Sequence, residues 1–116
     1  MASQHQSELV QIYVEVDPGI CGFPCTIVAT GTDKTRVSVE ITDSRCEHVQ
    51  KMAGLLDEVT LRDIFTPIGE NPIFKCAAQA GCHPSCIVPL ATLKAVEAAM
   101  GMALPREVRI TFKQTH

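Results

Sequence analysis

Cys82-His83-Pro84-Ser85-Cys86-Ile87-Val88-Pro89 leads into the longest apolar run of the chain, and how that run is covered decides the fold. Leu90, Leu93, Val96 and Met100 follow at helical spacing, surrounded by Ala91, Ala95, Ala98 and Ala99, with only Thr92, Lys94 and Glu97 polar. Pro89 is tolerated in a first helical turn, and Gly101 supplies a C-cap. So apolar a helix needs cover on more than one side. Its start also sets two thiols and an imidazole beside N–H groups that lack intrahelical partners, where an anion or thiolate is favoured.

The cover comes from alternating segments elsewhere. Val10, Ile12, Val14 and Val16 alternate with polar residues as a first strand, stopped by Asp17-Pro18-Gly19. A kinked loop then carries Cys21-Gly22-Phe23-Pro24-Cys25. Cys25 to Thr30 is a β-branched second strand, Gly31-Thr32-Asp33-Lys34 a turn, and Val37, Val39 and Ile41 mark a third strand. Ser44 and Glu47 fit a capping box before Cys46, Val49, Met52, Ala53 and Leu56 at helical spacing. Thr60 to Phe65 reads as one helical turn, and Asn71-Pro72 opens a short helix through Ile73, Cys76, Ala77 and Ala80 that Gly81 ends. After Pro105, Val108, Ile110 and Phe112 alternate as a fourth strand. The expected fold is therefore α+β: a two-layer sandwich with a four-stranded, mainly antiparallel sheet, element order βββαααβ, and helices on one face. Residues 8–114 form its single domain and residues 1–7 a disordered N-terminus.

A chain of 116 residues can bury one core without disulfides, and with 46% hydrophobic but only 4% aromatic residues that core is aliphatic. The net charge of −3 and scattered basic residues exclude nucleic acid as a partner, and no apolar run reaches spanning length, which excludes a membrane. A protein partner or small molecule is expected instead, as is a homodimer. Met1 to Ser7 lacks the apolar centre of a secretory signal, so the expected location is cytoplasmic. In a reducing compartment six cysteines point to metal ligands or reactive thiols rather than to disulfides.

In an antiparallel meander Cys21, Cys25 and Cys46 share one rim of the sheet. If strand four runs parallel to strand one, the last helix lies back across the sheet and Cys86 reaches the same rim. Gathered thiolates repel, and Zn²⁺ or an iron–sulfur cluster offsets that repulsion. The expected site is thus a metal held by Cys21, Cys25, Cys46 and Cys86, with His83 and Cys82 as reserve ligands. Cys46 and Cys76 also lie on apolar helix faces, where a cysteine serves as a core residue, and His48 reads as a solvated imidazole.

A second reading makes Cys86 a reactive thiol, with the helix start lowering its pKa and His83 as proton partner. Cys86-Ile87-Val88-Pro89 is similar to the Cys-Pro-x-Pro helix start of small sulfur-carrier proteins, which implies a persulfide on Cys86; Ile87 stands where that family has its first Pro. The segments Val16-Asp17-Pro18-Gly19-Ile20-Cys21-Gly22-Phe23 and His83-x-x-Cys86 to Pro89 resemble a family of small, cysteine-rich, uncharacterised proteins of anaerobic prokaryotes. The third reading is a structural or partner-binding domain without a cofactor. No nucleophile elbow or phosphate loop is present, so binding is favoured over catalysis.

Overall fold

The computed structural model describes residues 10–115, so the expected disordered segment 1–7 lies outside the described residues. The strands are β1 (Gln11–Val16), β2 (Cys25–Asp33), β3 (Arg36–Thr42) and β4 (Glu58–Thr60). The helices are α1 (Glu47–Leu55), α2 (Leu61–Ile64), α3 (Pro72–Gln79) and α4 (Val88–Ala99). A single 3-10 turn, Gly19–Cys21, joins the first two strands. The sheet is antiparallel throughout, in the order β1-β2-β3-β4.

Period two decides which face is covered. Cys25, Ile27 and Ala29 of β2, Val37, Val39 and Ile41 of β3 and Val59 of β4 are buried under the helices, whereas Gln11, Tyr13, Glu15 and Glu40 face water. Val49 and Met52 of α1, Ile73 and Ala77 of α3, and Val88, Ala95, Val96 and Ala99 of α4 complete the core. The expected α+β class, antiparallel sheet and single helical face are all present.

The fourth strand is not the expected one. The ladder is closed by Glu58–Thr60, where the sequence pattern marks only Thr60, as the start of a helical turn, and backbone bonds from Val39 to Asp57 (2.8 Å) and from Leu61 to Thr35 (2.7 Å) extend it. Three residues are too few to display an alternation, so no periodic signal announced this strand. Residues 108–112 show the alternation but pair with nothing among the described residues. Alternation reports two differing faces; pairing also needs an edge within reach.

α4 buries a different stripe from the one its leucines suggested. Val88, Thr92, Ala95, Val96 and Ala99 are buried while Leu90 is exposed and Leu93 only half-buried. Small side chains let the helix axis approach β1 and β2 closely; the Ala99 carbonyl lies 3.6 Å from where a Cβ on Gly31 would stand. Thr92 is tolerated there because its hydroxyl donates to the Val88 carbonyl at 2.8 Å.

Helix ends follow local chemistry. Thr60 and Asp63 form the reciprocal capping box of α2, and Gly81 (φ 80°) and Gly101 (φ 75°) end α3 and α4 in the left-handed conformation. The expected Ser44 cap is displaced: Cys46 occupies the N-cap of α1, and the Ser44 hydroxyl instead accepts from the Cys46 N–H at 3.1 Å.

Asn71 ties the second and third helices together. Only 1% exposed, it accepts from the Ile73 N–H at 3.0 Å and donates to the carbonyls of Asp63 (2.9 Å) and Thr66 (3.2 Å). Asn71→Ala removes the partner of the buried Ile73 N–H and of the Thr66 carbonyl, while the Asp63 carbonyl keeps its bond from the Thr66 N–H at 3.1 Å; the loss is expected to cost about 2–3 kcal/mol, lowering the urea midpoint at unchanged m-value. Asn71→Asp should cost at least as much, because a carboxylate would then face two carbonyl oxygens.

Candidate functional site

Cysteines collect at the rim where β1 ends, β2 begins and β3 ends. Cys25 is the first residue of β2 and is buried; Cys46 caps α1; Cys82 follows the α3 cap; Cys86 lies just before Ile87, the N-cap of α4. The turn before α4 closes with a bond from the Cys86 N–H to the His83 carbonyl at 2.9 Å. The convergence needs no parallel strand. Because the Ala99 end of α4 sits over Gly31, its Val88 end must sit over the opposite, Cys25 end of β2.

The electrostatics show which thiols are neighbours. Burial, first, and then the negative charges of Cys86, Asp43, Cys21 and Cys46 push the Cys25 thiol up to about 11. Burial, followed by Cys86 and Cys46 and a thiol hydrogen bond to Cys86, pushes Cys82 up to about 11. Cys46 and Cys86 act on both, which makes them neighbours of each. No cation contributes to either shift. The free thiolate is disfavoured here, and a positive charge would be welcomed.

Cys21 is exposed on the 3-10 turn; it contributes to the shift of Cys25 but not to that of Cys82. Cys76 is half-buried against the core and is raised by burial alone, as a packing residue would be. Asp43, at φ 66°, holds the left-handed conformation that Asp tolerates better than most residues, and it brings a carboxylate to the rim. Among the described residues no three His, Cys, Asp or Glu side chains stand at ligating separation. The sulfurs are gathered without forming a closed cage.

Two imidazoles flank the thiols. The His83 ring lies 5.8 Å from that of His48, centroid to centroid. His48 Nδ1–H donates to the Ala80 carbonyl at 3.0 Å, which leaves the Nε2 lone pair of the neutral ring free, the arrangement found in metal-ligating histidines. Gly81 makes this approach possible, since a Cβ there would stand 3.1 Å from His48 Nδ1. In the sequence His48 has the look of a surface residue; its partner is a carbonyl 32 positions away, for which no local pattern exists.

A family model described as a family of unknown function (DUF6951) matches residues 12–112. No curated protein and no solved structure matches the chain. Among the described residues no helix is long and apolar enough to cross a membrane.

The raised thiols carry a pH signature. Between pH 9.0 and about 11 the unfolded chain has lost thiol protons that folded Cys25 and Cys82 retain, so the metal-free protein is expected to lose stability across that window. Urea midpoints measured below and within the window should fall with rising pH, and less steeply in Cys25→Ser and Cys82→Ser proteins.

Proposed function

The chain belongs to the family of unknown function DUF6951, and we propose that it binds a thiophilic metal, as Zn²⁺ or an iron–sulfur cluster, through Cys25, Cys46, Cys82 and Cys86. The observation that carries this reading is the grouping of these thiols at a partly buried rim beside Asp43, where burial and one another's negative charge disfavour the thiolates of Cys25 and Cys82 and no cation offsets either shift. A nucleophilic thiol is prepared by positive surroundings that favour the thiolate; Cys25 and Cys82 have the reverse. A bound metal ion reverses the cost, since it deprotonates its thiols outright and turns their crowding into coordination.

The donor chemistry fits such a group: four sulfurs, with the imidazoles of His48 and His83 at the margin. Cys82, the reserve ligand, moves into the main set because Cys46 and Cys86 both act on it, and Cys21 moves out because it is exposed and does not act on Cys82. The metal would supply either a structural cross-link between the α1, α3 and α4 ends or, as a cluster, a redox centre. The chain's part is to present the sulfurs from the rigid ends of β2, α1 and α4 and to draw them together on binding.

The test is metal and sulfide content, with the visible spectrum, of protein purified without oxygen and without a metal-binding tag. About one zinc or one cluster per chain or per dimer is expected. Cys46→Ser and Cys86→Ser should each release it, and Cys76→Ser should retain it. Chelation should lower the melting temperature of the wild type and leave that of Cys86→Ser unchanged. Metal-free wild-type protein, or equal loss in Cys76→Ser, overturns the reading; metal-free protein in which only Cys86 alkylates rapidly would instead mark a sulfur carrier.

A further inference from the structure

β1 is an edge strand, and nothing among the described residues covers its outer side. The Val10 carbonyl accepts from the Gly31 N–H at 2.9 Å, so by the alternation of an antiparallel ladder Val10, Ile12 and Val14 turn their backbone groups toward β2. Gln11, Tyr13 and Glu15 therefore offer their N–H and C=O groups outward. On the helix side the same edge opens into an apolar groove of about 420 Å³ lined by Val10, Ile12, Ala98, Met102 and Leu104 among others. A free edge six residues long beside an apolar groove is a surface that proteins ordinarily cover.

The same chain carries a strand without a sheet. Residues 107–115 make no backbone hydrogen bond to the rest of the described chain, yet Val108, Ile110 and Phe112 stand 53%, 67% and 91% exposed on one side of an extended segment. The chain turns at Pro105, where the Arg106 N–H donates to the Leu104 carbonyl at 2.8 Å, before the unpaired segment begins. The molecule accordingly measures 60 × 31 × 28 Å. The tail forms no ladder with its own β1.

We propose that residues 107–113 of one copy add as a fifth strand to the β1 edge of a second copy, and reciprocally, so that the protein is a strand-exchanged homodimer. The alternation matches: Val108, Ile110 and Phe112 continue the inner face of Ile12 and Val14 over the groove, while Glu107, Arg109, Thr111 and Lys113 continue the wet face of Gln11, Tyr13 and Glu15. Charge matches as well, because Arg109 and Lys113 arrive beside a strand whose wet face and end carry Glu15 and Asp17. The Arg109–Glu107 ion pair at 2.8 Å is solvent-exposed and internal to the tail, so it does not tie the tail to the rest of the chain. The family match ends at residue 112, so it includes this strand. The inference stands apart from the thiol site and does not depend on a metal.

The test is sedimentation of the full chain under reducing conditions across a range of concentrations, with circular dichroism to check folding. Wild type should be a dimer. Ile110→Lys spoils the tail and Tyr13→Pro removes an outward N–H while sparing the β1–β2 ladder; each should weaken dimerisation at least about tenfold. Mixing the two variants restores one good tail on one good edge, so the mixture should associate more tightly than either alone. If Tyr13→Pro fails to fold, Gln11→Pro takes its place. Cys86→Ser should remain dimeric. A monomeric wild type, as results if the tail closes on its own β1, a dimer indifferent to both substitutions, or a mixture no tighter than its components would overturn the proposal.

Discussion

The close seat of α4 on β1 and β2 is the contact from which the rest of the structure follows. It exists because the face of the helix that meets the sheet is built from Ala95, Val96, Ala99 and an internally bonded Thr92, and because Gly31 stands opposite the Ala99 carbonyl. Larger side chains on this face would lift the axis and open voids that a core without aromatic filler could not close. Fixing the helix fixes both of its ends. One brings Cys86 to the thiol rim; the other launches the C-terminal segment beside the start of β1.

Without a metal, the rim becomes costly to the polypeptide once its thiols ionise. Thiols that raise one another's pKa, a carboxylate on Asp43 held at positive φ, and an imidazole braced against Ala80 through a glycine are arrangements that packing does not require. Cys76 supplies the internal comparison. It has similar burial in the same small protein but no charged neighbour acting on it, which is how a merely packed cysteine behaves.

Much of the fold is legible in residue order because its signals are local. The alternation of Val10 to Val16 and of Val37 to Ile41, the Asn71-Pro72 start, the Thr60 cap and the stops at Gly81 and Gly101 each act within a few residues, and each appears where its chemistry places it. The misses are non-local. Glu58–Thr60 becomes a strand only because β3 offers an edge, and Val108 to Phe112, with a better alternation, finds no edge within its own chain.

By itself the sequence determined the α+β class, the meander, the caps and the gathering of cysteines near one rim, since hydrophobic period, turn chemistry and strand polarity are written in neighbouring residues. Only the tertiary structure decided which face of α4 is buried, which segment closes the sheet, that Cys46 and Cys86 neighbour both Cys25 and Cys82, and that His48 leans on Ala80. Each of those outcomes depends on how closely two separate elements can approach. That distance is set jointly by the side chains of both.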